Sequence, residues 1–363
     1  MPSTQINAIQ DRVEKLRAKF DHLLIDAFRV TFQPHLHYLS CFSGSSGIGI
    51  VTSRSTCLVT DGRYASQVRI EVKGWKIFIS RDSLFEEIKK RNLFVPGWRI
   101  SFDGNTVAFS QYKALKGMFP KVKFLPKSEC IEKIASVKDP FEIEKLTTAV
   151  GITDKVFSEV IEKIKPGVRE LDISAEISFR QRRHGAEADA FEPIVASGDR
   201  SALPHGRATL RKIRKGDLVT LDFGCVYQGY HSDMTRTIFV GRPHPDARKI
   251  YGVVLDAQQR AIEAAKSGMK AKDLDAVARE RIKSCGYGKF YNHSLGHGLG
   301  LQIHEPPRIS AQSTAEMESG NVVTIEPGVY VPGFAGVRVE DAVVVTNGRC
   351  DVLTRSPKDI LVL

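Results

Sequence analysis

Gly216-Asp217-Leu218-Val219-Thr220-Leu221-Asp222-Phe223-Gly224 is followed 104 residues later by Gly320-Asn321-Val322-Val323-Thr324-Ile325-Glu326-Pro327-Gly328. Both stretches run from a glycine through a short apolar run to a carboxylate and a second glycine. A short apolar run between turn signals reads as a buried strand. Each strand thus closes on an acid at an equivalent position, Asp222 in one copy and Glu326 in the other. A second match lies upstream. Residues 167–173 (GVRELDI) align without gaps on residues 268–274 (GMKAKDL), offset 101, through Ala175/Ala276, Arg180/Arg281 and Gly185/Gly286. Similar local patterns in similar elements are the plain alternative. Two matches in nearly one register favour duplication. The expected fold is α+β, a pseudo-twofold curved antiparallel sheet with helices on its outer face.

Each half supplies a second acid after a turn. Asp233 lies eleven residues after Asp222, and the pair is centred at Tyr227–Gln228, beside Gly229. Glu340 lies fourteen residues after Glu326, and that pair is centred on Gly333, after Pro332. Turn residues at a centre of symmetry are what a hairpin needs. Two hairpins would bring four carboxylates towards one place. Like charges in a sheet interior repel, and burial penalises each of them. Cations remove the conflict. Oxygen-rich ligands with few nitrogens suit Mn²⁺, Fe²⁺, Co²⁺ or Zn²⁺, and four acids can bridge two ions. The competing reading, exposed turn acids, fits Asp233 or Glu340 singly but not the repeated pattern.

Four of the ten histidines stand in or near glycine-flanked motifs. His205 lies in Pro204-His205-Gly206. His293, His297 and His304 share the run His293-Ser294-Leu295-Gly296-His297-Gly298-Leu299-Gly300-Leu301-Gln302-Ile303-His304-Glu305-Pro306. Glycines on both sides of His297 are read as letting the backbone approach a metal or a substrate. His35, His37, His184, His231 and His244 lack such a setting and are read as structural.

Outward from this core, residues 136–140 (SVKDP) are polar and end in proline. They read as a boundary, with Asp139-Pro140 opening a helix to about Lys163. Upstream, residues 9–27 carry apolar positions at helical spacing. Short strands are expected at 47–52, 56–60, 76–80, 99–102 and 121–125, with helices at 64–72, 84–91 and 110–118. Strands alternating with helices indicate an α/β domain. The expected organisation is two domains, 1–137 and 138–363.

Composition sets the outer bounds. The chain has 363 residues, 42% hydrophobic and 26% charged, as for an ordinary globular protein. No apolar run reaches 18 residues, so no membrane span is expected. The amino terminus has no apolar core of a secretory signal. Six cysteines lack metal-ligand spacing and read as reduced thiols of a cytoplasmic protein. The formal charge is +11, but basic and acidic residues are interleaved. A specific nucleic-acid partner is not expected.

The motifs PHG, LDFG with SDMTRT, GHGLGLQIHEPP, IEPGVY and GVRVED resemble the pita-bread metallopeptidase family. The nearest subgroup is the Xaa-Pro peptidases, aminopeptidase P and prolidase. Residues 38–47 (YLSCFSGSSG) and 60–64 (TDGRY) resemble a creatinase/prolidase-type N-terminal domain. Cys41 stands where the resemblance expects glycine, and His35 near where it expects asparagine. The resemblance implies that Asp222, Asp233, His297, Glu326 and Glu340 ligate two divalent ions, manganese first, with cobalt, zinc or iron taking similar ligands. It implies that His205 and His304 bind or protonate substrate, and that His293 lies near the scissile bond. Arg338 and Tyr330 would support or line the substrate site. Glu326 would also accept the proton of the metal-bridging water, which becomes the attacking hydroxide, and pass it to the leaving nitrogen. The implied substrates carry proline in second position, and the implied assembly is a homodimer.

Three rivals are weighed. Creatinase shares the two-domain plan but has no metal. Methionine aminopeptidase normally lacks this N-terminal domain. A non-catalytic peptide-binding or chaperone-like relative would typically lose the ligands, and here all five persist.

Overall fold

The computed structural model describes residues 3–363. The described chain forms two compact units that divide between Ala135 and Ser136. In the first, six strands form one mixed sheet: β1 (Ala27–Val30), β2 (Gly47–Thr52), β3 (Thr56–Asp61), β4 (Lys76–Ser80), β5 (Arg99–Phe102) and β6 (Lys123–Pro126), in the order β4-β3-β2-β1-β5-β6. β1 and β3 pair antiparallel to β2, while β1–β5, β3–β4 and β5–β6 are parallel. The core beneath the sheet gathers Ile48, Ile50, Ile88, Ile100, Phe102 and Phe124.

One expected helix does not hold. Residues 9–27 split into Ser3–Arg17 and the short turn of helix Phe20–Leu23, where Leu24 turns left-handed at φ 53°. Ala27 then belongs to β1, all four of whose residues are buried. A strand buried on both faces has no alternation, so its apolar residues extend the preceding helical pattern. The helix Gln33–Ser40 was also not anticipated.

The second unit shows the duplication. Helix Pro140–Val160 is capped by Asp139, which accepts from the Phe141 and Glu142 amides, and continues as 3₁₀ helix to Lys163. Helices Glu170–Arg183 and Ala271–Ser284 both have 14 residues. The repeated glycines share positive φ: 97° and 82° at Gly167 and Gly268, 95° and 86° at Gly185 and Gly286, 93° and 95° at Gly216 and Gly320. Left-handed backbone favours glycine, which is why these positions mark the repeat.

The strands of the first half are β7 (Ala188–Asp189), β8 (Ile194–Ser197), β9 (Leu218–Phe223), β10 (Cys225–Tyr227), β11 (Tyr230–His231) and β12 (Met234–Phe239). Those of the second half are β13 (Gly296–Gly298), β14 (Glu305–Ile309), β15 (Val322–Ile325), β16 (Gly328–Val331), β17 (Ala335–Arg338), β18 (Asp341–Val345) and β19 (Cys350–Val352). β8–β9–β12 form one antiparallel sheet, and β14-β13-β15-β18-β19 another. The halves meet where Arg338 N–H donates to Thr237 Oγ1 (3.2 Å), Thr237 Oγ1 donates to Arg338 O (3.0 Å) and Glu340 N–H donates to Thr235 O (3.2 Å). Those bonds lay the two hairpins side by side.

Candidate metal centre

The second hairpin has the expected register. Val331 pairs Ala335, Gly328 pairs Arg338 and Ile325 pairs Asp341, so Glu326 and Glu340 fall opposite each other about Gly333, at φ 71°. The first hairpin differs by one position. Tyr227 pairs Tyr230 and Asp222 pairs Thr235, which centres the turn on Gln228-Gly229. Those two residues take φ 47° and 79°, the pair of positive values that a tight primed turn requires. Asp222 and Asp233 are consequently diagonal neighbours rather than direct partners.

Asp233, His297 and Glu340 converge. One donor atom of each lies within 4.8 Å of the others, and all three residues are buried. His297 Nε2 lies 3.6 Å from Asp233 Oδ2 and 3.3 Å from Glu326 Oε1. Asp222 adjoins them: its Oδ2 is gripped by Arg338 Nη2, its buried Oδ1 has no hydrogen-bond partner, and its charge acts on Asp233, Glu326 and Glu340.

The tautomer of His297 follows from its other nitrogen. Nδ1 lies 3.0 Å from the carbonyl of Gly298, which can only accept, so Nδ1 carries the proton. Burial, followed by neighbouring His304, lowers His297 to about 4, so the ring is neutral. Its Nε2 lone pair therefore faces two carboxylate oxygens. Acceptors facing acceptors need a proton or a metal cation between them.

Electrostatics agrees. Burial, then Glu340 and the other acids, drives Asp233 well above the usual carboxylate range. Burial, then Glu326 and Asp222, does the same to Glu340. Glu326 is pushed up to about 7, chiefly by burial; Arg338 opposes and Asp222 adds. Four carboxylates face one guanidinium. Divalent ions fit this donor set and this charge deficit.

Two threonines complete the cluster and were missed from sequence. Thr235 Oγ1 donates to Glu340 Oε2 at 2.6 Å, and Thr324 Oγ1 to Glu326 Oε1 at 3.1 Å. Each lies two residues along the chain from an acid, Asp233 or Glu326. Period-two alternation along a strand was the available signal.

Arg338 is committed within the protein. Besides Asp222 it donates to Thr235 Oγ1 (2.9 Å), Pro204 O (3.1 Å) and Tyr330 OH (2.6 Å). Tyr330 OH then faces His293 Nε2 at 3.1 Å, and His293 Nδ1 faces the Ser294 carbonyl at 2.8 Å. Since Arg338 only donates, Tyr330 accepts from it and donates onward to His293. Both nitrogens of His293 are thereby occupied, and burial lowers it to about 4. His205 and His304 remain exposed. The His304 ring stands edge-on to His297, with centroids 4.2 Å apart.

The glycines beside His297 have a different reason from the one expected. A Cβ on Gly296 would meet Thr324 O at 2.0 Å, and on Gly298 Pro306 O at 2.2 Å. Neighbouring strands press against them, so they allow close strand packing around the histidine.

A buried carboxylate–histidine centre with the donor set of a divalent-metal site, carried on a duplicated sheet, is the class these features define. Residues 144–347 match Metallopeptidase family M24, and residues 12–137 match the Creatinase/Prolidase N-terminal domain. The chain belongs to metallopeptidase family M24, a prolidase-type hydrolase with an α/β creatinase-type domain ahead of a pita-bread catalytic domain. That family implies divalent metal ions. The chain is 38% identical over 361 residues to the Xaa-Pro dipeptidase of Pyrococcus furiosus, covering 97% of this chain and 100% of that one. Among solved structures, the Xaa-Pro dipeptidase from Bacillus anthracis is 39% identical at a TM-score of 0.95, covering 98% of this chain and 100% of that one. The X-Pro aminopeptidase from Thermotoga maritima is 36% identical at a TM-score of 0.89, covering 95% and 100%.

The raised carboxylates set a pH dependence. An acid whose pKa is higher folded than unfolded contributes stability below its unfolded value and loses it as pH rises through the folded one. For Glu326 that window runs from 4.5 to about 7. The chelated protein should lose stability at this site across that window, while metal binding gains because protons no longer compete. Calorimetry should therefore show a larger Tm gain on adding Mn²⁺ at about pH 7.5 than at about pH 5.5. Equal gains would contradict this account.

Proposed function

We propose that the chain is a dinuclear-metal exopeptidase that hydrolyses the bond between an amino-terminal residue and a following proline. The observation that carries this reading is the buried convergence of Asp233, His297 and Glu340, with Glu326 adjoining. The names of the relatives, Xaa-Pro dipeptidase and X-Pro aminopeptidase, supply the substrate class. Asp222, Asp233, His297, Glu326 and Glu340 would hold the ions. A pair of divalent ions at such a site supplies Lewis acidity and an activated water.

The protein's own groups do the rest. Glu326, whose Oε1 stands 3.3 Å from His297 Nε2, is placed at the metal site to take a proton on its carboxylate and release it to the leaving nitrogen. His304 and His205 present exposed imidazoles that can donate to substrate oxygens. The Arg338–Tyr330–His293 chain fixes Asp222 and the walls of the site. An Xaa-Pro bond has no N–H on its nitrogen, so the ring itself must be recognised.

Manganese is our choice of metal, since its oxygen-rich preference suits four carboxylates and one imidazole. The reading assigns residues 1–137 to the creatinase/prolidase-like domain and 138–363 to the catalytic one; the Asp139 cap supports that division. The six cysteines are free thiols, four of them buried, which fits the reducing cytoplasm. Among the described residues no helix is long and apolar enough to cross a membrane. Family resemblance alone supports a homodimer, which light scattering would overturn by showing a monomer at micromolar concentration.

The deciding experiment compares Xaa-Pro, Xaa-Pro-Yaa and Xaa-Ala substrates with Mn²⁺ and with chelator. Metal-dependent release of the first residue only where proline follows is expected. Equal cleavage of Xaa-Ala, or no cleavage with metal, would refute it.

A further inference from the structure

A second cluster of ligand-type side chains lies in the first unit. His35 belongs to the helix Gln33–Ser40, Asp103 follows β5, and Glu132 opens the short helix Glu132–Ala135. One donor atom from each lies within 4.8 Å of the other two. His35 Nε2 is 3.9 Å from Glu132 Oε1.

Polar atoms are left over here. His35 is 3% exposed, yet neither ring nitrogen has a hydrogen-bond partner. Asp103 is 6% exposed; its Oδ1 accepts from the Asn105 amide, while its Oδ2 has no partner. Buried polar atoms are almost always paired, so this group of orphans calls for a missing partner. The ring's orientation is set by Phe32, packed edge-on with centroids 4.9 Å apart.

Neither nitrogen of the His35 ring has a hydrogen-bond partner, so in either neutral tautomer one nitrogen offers an unused lone pair at this cluster. The charges acting on Glu132 are the carboxylates Asp103 and Glu129. Glu129 is ion-paired with Lys133. A neutral imidazole and two carboxylates carry a combined charge that one divalent cation balances.

We propose that His35, Asp103 and Glu132 form a mononuclear site for a divalent transition-metal ion of the zinc type, separate from the catalytic centre. One nitrogen and two oxygens are ordinary zinc donors, and a water can take a fourth position. Ligands on tetrahedral zinc stand about 3.3 Å apart, while the donor atoms here lie within 4.8 Å of one another, 3.9 Å for His35 and Glu132, so closing on an ion takes side-chain adjustments of about 0.6–1.5 Å. The ion would tie together three segments that lie far apart in the chain. His35 is also the departure from the family pattern noted in the sequence, and asparagine offers no imidazole. The inference does not rest on the proposed peptidase activity.

Zinc content of the full chain decides it. In the Asp233→Asn, Glu340→Gln background, dialysed against micromolar zinc, mass spectrometry should find one zinc per chain. Adding His35→Asn, or separately Asp103→Asn, should remove it. In the otherwise natural chain, His35→Asn should lose one zinc equivalent and keep manganese-supported turnover unchanged. Zinc content that does not respond to His35→Asn overturns the proposal. Should a variant fail to fold, anomalous diffraction at the zinc edge from zinc-soaked natural protein settles it. A peak within bonding distance of a His35 ring nitrogen supports the site, and none there overturns it.

Discussion

Asp233→Asn is expected to lose its metal and about 10³-fold or more in turnover, and yet to melt no lower than the natural protein when both are stripped by chelator. The first part follows from ligand loss. Asp233 lies in the buried donor group with His297 and Glu340, and an amide is neutral and a poorer ligand. Metal ions supply several kcal/mol of transition-state stabilisation, and each ~1.4 kcal/mol is tenfold in rate. The second part follows from charge. Burial and then Glu340, Asp222 and Glu326 all disfavour the ionised form of Asp233. Asparagine is neutral at every pH, so the stripped fold no longer bears the cost of protonating or burying the charge at position 233 and should be relieved. With Mn²⁺ added, the natural protein should rise in Tm and the variant should not. A purely structural role for Asp233 predicts the opposite pattern, a lower Tm for the variant with and without metal. Metal analysis, calorimetry and turnover on the same preparations separate the two.

That sign reversal depends on geometry which the sequence displayed only in part. The duplication was legible because its glycines are forced: Gly167, Gly185 and Gly216 and their counterparts all need positive φ. The second hairpin was legible because Gly333 stands at its centre of symmetry. The first was displaced by one residue because symmetry of spacing does not say which residue takes the left-handed turn. Gln228 does, beside Gly229, and no single-residue rule picks it. The chain from Asp222 through Arg338 and Tyr330 to His293 joins residues from β9, β16, β17 and the loop before β13. Contacts between such distant segments have no local signature. The same holds for His35, whose partners lie 68 and 97 residues away in the sequence. In β1 the failure was of another kind: complete burial removed the alternation that distinguishes strand from helix.

His304→Ala should separate proton handling from metal binding. His304 is not in the Asp233–His297–Glu340 group, and its ring is exposed while standing edge-on to His297. Removing it should leave metal content near two ions per chain, the number proposed above. Turnover should fall by about 10²–10⁴-fold, the usual contribution of a positioned acid–base group. The rival is that His304 only packs against His297. Its exposure argues against that, because truncating an exposed ring opens no buried cavity. The Tm should therefore stay close to that of the natural protein. A packing role would instead lower Tm or metal content and leave the specific activity of the folded, metal-loaded fraction intact. The kinetic split adds a further test. A contact made chiefly in the transition state lowers kcat and kcat/KM together, whereas a contact made equally with bound substrate raises KM alone. Full turnover in the metal-loaded His304→Ala protein would remove His304 from the mechanism and leave His205 as the exposed imidazole available to the substrate.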